Sequence, residues 1–485
     1  MSKVATFFGL TDANEKILRL SSILSILLPI VALTTTLSTT FFMIFVAEWL
    51  GGGSYIDGLA LVGILVVIQM GVQTLLDYPT AALGDAIGQR WIITSSFLTF
   101  AVCFYMVALV GPGTPILYVV IIYLLMGFGN SQLSGAFMAW FDNNYRVAMP
   151  SDSDRKQYGV FMGKVGMLYQ VVATLALIPG SVLAVIFGRA WVFQIQAFMC
   201  LGIALVCFKI IDDFPEVKES RVKRPSMKEY TDVLASGVRF LFSEKYVTYI
   251  ILGGCVVMSA GMVWGNLILF PMYFSYLLTD VAVSSFRTML FGIGVVNQER
   301  SGIWSRRFEP KKWIPRFRLL QGVGAIFYLS FAAIMFFLPP AQAGAELIML
   351  TIPYTQIVIM QLPTSSILPL LLMTITFTIT GFAGGFAEVL TQRELLDVIP
   401  NKIRNSMYSL SPTIATLLAM PQIALFGWLI PNAGFPITMT LCAAISIIGV
   451  IMIAKGLSHP KPIASDISPQ GHHDEMTIEV VAVEE

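Results

Sequence analysis

Residues 77–91 read DYPTAALGDAIGQRW: two carboxylates, a proline, two glycines and an arginine, set between long runs that carry almost no charge. A polar, turn-forming stretch of this kind is what a connection at a membrane surface needs, because the chain must leave one apolar run and enter the next. The same alternation recurs along all 485 residues. The chain is 56% hydrophobic and 12% charged, against about 25% charged in a soluble domain, and its mean hydropathy is +0.77. Inside hydrocarbon every backbone N–H and C=O must find a partner within the chain, which leaves helices or closed barrels. The runs are about twenty residues long and lack a two-residue period. The composition therefore predicts an all-α polytopic membrane protein.

Charge, glycine and proline punctuation predicts twelve spans, over 20–47, 58–80, 91–111, 115–140, 158–187, 190–210, 245–277, 281–297, 318–338, 366–390, 406–430 and 435–455. Of the 30 basic residues, all but Arg189 and Arg287 then fall on one side when Lys164 is counted with the inner loop beside it. By the positive-inside rule that side, with both termini, is cytoplasmic, and the expected location is the plasma membrane. The first run is too long for a signal-peptide core. Residues 345–362, AELIMLTIPYTQIVIMQL, hold Glu346, Pro353, Gln356 and Gln361. A thirteenth span there would export Arg393, Lys402 and Arg404, so we assign the segment to a long outer loop. The organisation expected is a six-helix half over 1–210, a charged central loop over 211–244, a second half over 245–456 and a polar, disordered tail over 457–485.

Other chemistries find little support. The net charge of +1 gives no field for nucleic acid. Cys103, Cys200, Cys207, Cys255 and Cys442 all lie in apolar runs without a CxxC pair, as buried thiols do. His459, His472 and His473 lie in the tail, so the spans hold no histidine for a catalytic or metal-binding set. No GxxxxGK[ST] loop is present, and no enzyme activity, cofactor or metal is expected.

Weak matches recur at a fixed offset, as in a duplicated bundle. Asp77 after span two corresponds to Asn297 after span eight, RWII at 90–93 to KWIP at 312–315, Gly135 to Gly385 and Pro150 to Pro400. The offset grows by about thirty residues where the outer loop 339–369 intervenes.

Within this frame AALGDAIGQRWII, 81–93, resembles the signature between helices 2 and 3 of the major facilitator superfamily, Gly-x-Leu-Ala/Gly-Asp-Arg-x-Gly-Arg-Arg/Lys. Leu83, Gly84, Asp85, Gly88 and Arg90 match it; Ala81, Ala86 and Gln89 depart from it. The resemblance implies the superfamily fold, twelve helices in two pseudo-symmetric halves, and transport by alternating access. It also implies that Asp85 engages helix 11, here near Asn405 and Ser406, when the cytoplasmic side closes. From the residues alone, Gly84 and Gly88 suit a tight reversal. Asp85 suits a cap on orphan helix N–H groups, and Arg90 is expected to bridge to Asp142 after span four.

The remaining polar residues supply candidates for a cavity. Gln69, Gln73 and Asp77 are spaced by four and share one face of span two. Span four carries Gly127, Gly129, Asn130 and Gln132, which line the cavity if the resemblance holds, or serve close packing. Gln170, Trp264, Asn266 and Tyr273 complete the cavity set. Asp77 and Glu388 are the candidate coupling residues, with Glu388 equally suited to pair with Arg393 or Lys402; Lys164 is expected to snorkel. Two motifs of superfamily antiporters are absent: Tyr123 stands where helix 4 carries an arginine, and Ile178–Leu183 replaces Gly-Pro-x-x-Gly-Gly in helix 5. The function expected is a secondary transporter of a small solute, with or without a co-transported ion or proton, monomeric in the bilayer. The alternatives are a drug or organic-solute efflux antiporter and a non-transporting membrane sensor.

Overall fold

The computed structural model describes residues 7–10, 14–152, 155–219, 221, 235–342, 344–396, 398–399 and 401–462. The described helices form twelve passes. These are α1 (Glu15–Thr36, resumed at Phe42–Leu50), α2 (Tyr55–Ile87), α3 (Gln89–Ala108), α4 (Ile116–Leu133 and Ala136–Ala148), α5 (Lys156–Leu175 and Leu177–Phe187) and α6 (Arg189–Ile210). The second set is α7 (Lys245–Val263, a π turn at Trp264–Ile268, then Leu269–Leu277), α8 (Asp280–Trp304), α9 (Pro310–Leu320 and Ala325–Phe337), α10 (Ile367–Leu396), α11 (401–433) and α12 (435–458). By length and apolarity alone ten helices qualify as spans. The last of these is two helices joined at Gly434, and α8, whose 25 residues include Asp280, Arg287, Asn297 and Arg300, is not among the ten. The expected twelve spans are all present.

Local chemistry explains the ends. Asn14 caps α1 by accepting from Ile17 N at 2.9 Å, and Ser54 caps α2 through Asp57 N. Single-residue turns join α2 to α3 at Gly88 and α11 to α12 at Gly434, with φ of 104° and 79°. A side chain is strained at such angles, so each reversal needs glycine.

The segment around 345–362 does not cross. Leu347–Thr351 (β1) pairs antiparallel with Val358–Pro363 (β2), from Leu347 opposite Pro363 to Thr351 opposite Val358. Strands of five and six residues fall short of the nine to eleven or so that a spanning strand requires. Polar residues and Pro353 interrupt the run before it reaches helical length, and the hairpin lies where an outer loop was expected.

We call the side bearing Asn14, the α2–α3 turn and the central loop the basic face, and the other the opposite face. Buried apolar side chains form two clusters. The larger runs through α1–α6 and the opposite-face parts of α7–α12; the smaller, with Tyr246, Phe317, Leu390, Met407 and Ile453, holds basic-face parts of the last six helices and, beside them, Phe240, Leu241, Val398 and Ile399. The two sets of six helices thus share a core near the opposite face and separate toward the basic face. Among the described residues the bundle is open on its basic side.

Candidate functional site: a latched face and an open cavity

The opposite face is held by an arginine. Arg189 opens α6, directly after Gly188, and its guanidinium donates from Nε and Nη2 to both Asp280 oxygens at 2.8 and 2.9 Å. Its Nη1 donates to Glu48 at 2.6 Å. Phe41 and Phe274 flank the cation at 6.0 and 5.6 Å. Asp280 belongs to the last six helices, Arg189 and Glu48 to the first six, so this fork spans the seam. The Arg189 and Asp280 side chains are only 18% and 7% exposed, which strengthens a charge-assisted pair. Nearby, Tyr55 meets Phe274 edge-on at 5.4 Å and Thr288 of α8 donates to Thr174 O of α5 at 3.3 Å. Gly63 of α2 lies against Gly427 of α11, where a Cβ on either would come within about 3 Å of the other backbone. Nothing in the sequence singles out this latch beyond the place of Arg189, one of two basic residues on the side away from the basic face.

On the basic face the quoted stretch folds as the last turns of α2, the Gly88 turn and the start of α3. Asp85 lies inside α2, so it caps no helix start; its carboxylate accepts from Gln89 Nε2 at 3.1 Å. Gly84 is buried against the Gln89 side chain, and Leu83 is exposed. Arg90 does not bridge to Asp142. It faces Asp212 at 3.5 Å, because the chain leaving α6 crosses beneath α3. Asp142 instead binds Arg146 at 2.9 Å and Arg155 at 2.8 Å. The crossing segment is a strap. Asp213 accepts from Asn144 at 2.8 Å, Asn144 accepts from Phe214 N at 2.8 Å, and Trp140 donates to Asp212 O at 3.2 Å. Arg221 binds Asp213 and also donates to Ile87 O at 3.1 Å, its guanidinium covering Gly88 so closely that no Cβ would fit. Burial acts to raise the Asp212 carboxyl, but the Lys218 hydrogen bond and charge, with Arg90, hold it below its ordinary range. Glu216 is likewise lowered by its own backbone N–H and by Lys16. The side chains at 405 and 406 lie outside the described residues.

Between latch and strap the cavity candidates separate into two groups. Gln69 and Gln73 are half-buried and Asp77 is exposed along one face of α2. Asp77 accepts from Ser134, at the break in α4, and Thr80 donates to Ser131 O at 2.9 Å just above that break. Gly135 continues the chain with φ 71°. In the second half Asn297 donates to Thr378 O of α10 at 3.3 Å, the equivalent place by the sequence offset. Asn130 is half-buried beside the break, while Gln170 and Asn266 are exposed. Three expectations need correction. Gln132 is buried and donates to Ser95 of α3, and Trp264 and Tyr273 are buried in a ring cluster with Phe327, Tyr328 and Phe331. The two rings form the wall, because aromatic area is better buried than wetted, while the Tyr273 hydroxyl is left without a hydrogen-bond partner. Gly127 and Gly129 serve close packing, against Gln69 O and the Phe100 ring. Glu388 pairs with Arg318 at 3.1 Å and not with Arg393, while the Lys402 side chain lies outside the described residues. Lys164 donates to Phe7 O and lies over the Phe7 ring. His459 stacks on Tyr249; His472, His473 and the rest of the tail lie outside the described residues. Among the described residues no three His, Cys, Asp or Glu side chains gather for a metal.

Comparison with known proteins assigns the bundle. The family model described as Major Facilitator Superfamily matches residues 21–367. The chain belongs to the Major Facilitator Superfamily. No curated protein matches it closely enough to count as a relative. Among solved structures it is similar to the nucleoside transporter NupG, with TM-score 0.64 at 11% identity, covering 91% of this chain and 100% of that one. It is also similar to a bacterial homologue of the human lysosomal transporter Spinster in an inward-facing, unoccupied conformation, with TM-score 0.62 at 13% identity over 90% and 97%. The xylose transporter XylE from E. coli in an inward-open conformation gives 0.56 at 14% over 92% and 98%. At these identities the likeness concerns the fold. As a superfamily member the chain is a multi-pass membrane protein of the secondary-transporter class.

Proposed function

We propose that this superfamily member moves a small solute by alternating access, its halves 1–210 and 245–456 rocking about a central cavity while 211–244 links them. The Lys and Arg distribution supports a cytoplasmic basic face, and we take the membrane to be the plasma membrane. The observation that carries the proposal is the one-sided closure: the seam contacts described above lie near the opposite face, while the core divides toward the basic one. Alternation then consists of breaking Arg189–Asp280 and closing the basic face through the loop of Leu83, Gly84, Asp85, Gly88 and Arg90. In the shape described Asp85 is exposed and its carboxylate is held only by Gln89 of the adjoining turn. Asp77, bound to Ser134 at the α4 break, and Glu388, bound to Arg318, are the groups through which an ion or proton would couple. Gln69, Gln73, Asn130, Gln170 and Asn266 line the path, and the transporting unit is a monomer.

The test begins with a thermal-shift screen of the purified chain against solute classes, including a nucleoside and xylose, at several pH values. Solutes that stabilise it are then followed into proteoliposomes. Asp85→Asn is expected to stop or strongly slow flux while folded protein remains in the membrane. Wild-type flux in that variant refutes the gating role, and stabilisation without flux for every solute refutes transport in favour of a sensor.

A further inference from the structure

Arg287, counted in the sequence among the charges of the opposite side, lies inside α8, seven residues after Asp280. At 1.5 Å per residue that is about 10 Å below the latch. Asp280, Ser284 and Arg287 follow the i, i+4, i+7 spacing of one helix face. Asp280 on that face reaches Arg189 across the seam, and Ser284 is fully buried. The exposed stripe of α8, with Met289 and Gly292, lies on the other side. Arg287 therefore faces the interior of the bundle.

A charge at this depth is costly unless something answers it. The carboxylate on its own face of α8, Asp280, is committed to Arg189, and among the described residues Arg287 has neither an ion pair nor a hydrogen bond. A second, independent feature lies beside it. Tyr273 is 0% exposed, and its hydroxyl is buried without a hydrogen-bond partner. Its ring is fixed against Phe286, the residue before Arg287, at 5.1 Å and against Trp264 at 6.2 Å. A guanidinium fork and a phenol O–H, linked through the Phe286 ring, are thus both without an acceptor among the described residues.

We propose that Arg287 and Tyr273 bind an oxyanion, so that the solute carried is a carboxylate or phosphate compound. A guanidinium matches a planar carboxylate or a phosphate through paired N–H groups, and the tyrosine hydroxyl adds a third donor. A neutral solute would leave the cation unanswered. This substrate class rests on the transporter reading, but the binding site itself does not.

The test uses the purified full chain with sodium benzoate, sodium succinate and inorganic phosphate, and with benzamide and succinamide as uncharged counterparts. At least one anion is expected to raise the melting temperature while its amide does not. Arg287→Gln should weaken that anion by roughly ten- to a hundredfold, the range for a hydrogen bond to a charged group, and Tyr273→Phe by up to about tenfold. Ligand-free Arg287→Gln should melt no lower than the wild type, since it loses an unanswered interior charge and no partner. The proposal is overturned if none of the anions stabilises, if the amides do so equally, or if Arg287→Gln keeps the effect. A ligand-free Arg287→Gln protein that melts several degrees lower also overturns it, by making the arginine structural. Anion binding without flux in proteoliposomes would uphold the site and remove transport. Flux of a neutral solute that ignores Arg287→Gln would do the reverse.

Discussion

Replacing Gly427 by alanine tests the closure directly. A Cβ at 427 would stand 2.8 Å from Leu59 O and 3.0 Å from Gly63 Cα, against 3.4–4 Å for ordinary contact. The obstructing atoms are backbone and cannot swing aside, so α2 and α11 must part by several tenths of an ångström. Overpacking of this kind costs about 1–3 kcal/mol. The latched shape bears the cost and the unlatched shape escapes it, so their ratio should shift by about five- to 150-fold. A cysteine at position 288 reports the shift, because in the latched shape Thr288 donates to Thr174 O across the seam. The five native cysteines are buried and give little background. With a membrane-impermeant maleimide added from the opposite face, Gly427→Ala should label faster by that factor. Gly71→Ala, whose Cβ meets nothing within 4 Å, should label at the parent rate. Parent-rate labelling of a folded Gly427→Ala protein would falsify the assignment of this crossing as the closed contact.

Asp280→Asn keeps the shape of the latch but removes its charge across the seam, and should raise labelling at position 288 by more than about tenfold, within the range for a broken partly buried pair. Glu48→Gln should do less, since Glu48 is on the same half as Arg189; equal effects would contradict the fork as described. Arg221→Ala leaves the buried Asp213 carboxylate to Asn144 and uncovers the end of α2, so thermal unfolding should show a loss of about 1–3 kcal/mol. Thr80→Val removes the hydroxyl bond to Ser131 O and should cost about 1 kcal/mol in the same assay. Asp212 and Glu216 are held below their ordinary values when folded. The folded strap therefore binds protons less readily than the unfolded chain. Its stabilisation is present above about pH 4 and is lost as the pH falls through the lowered folded values. Trp140 fluorescence, reporting its bond to Asp212 O, should follow that loss; a signal that changes instead near neutrality would contradict it.

The spans were legible because hydrocarbon imposes one rule on every backbone group, and that rule is written in run length and punctuation. The α2–α3 turn was legible for a related reason: a one-residue reversal at Gly88 tolerates few residues. Partners were far less so. Arg90 and Asp142 look complementary along the chain, yet the strap brings Asp212 closer, and nothing local in 85–91 signals a segment more than 120 residues away. Trp264 and Tyr273 carry polar atoms that suggest a lining, but their large rings pack together and take the side chains into the wall. The hairpin hid behind its apolar composition, since a short buried or half-buried strand and a piece of helix share it. Arg189 and Arg287 show how much a count of charges per side omits. One answers a carboxylate across the seam and the other lies within the bundle, and only their depth tells them apart.

The break in α4 separates two tasks along a single helix. Its upper piece, Ile116–Leu133, packs on α2 through Gly127, beside the polar stripe of Gln69 and Gln73. Its lower piece, Ala136–Ala148, is fastened to the strap by Trp140 and Asn144. The corresponding helix of the other half, α10, runs unbroken for 30 residues. Substitutions that retune what the first half recognises can therefore collect above Gly135 without disturbing the anchorage below it. In the second half any such change is transmitted along a rigid rod. Drift in cargo preference should then be recorded unevenly, with the first half free to vary and the second held to its inherited form.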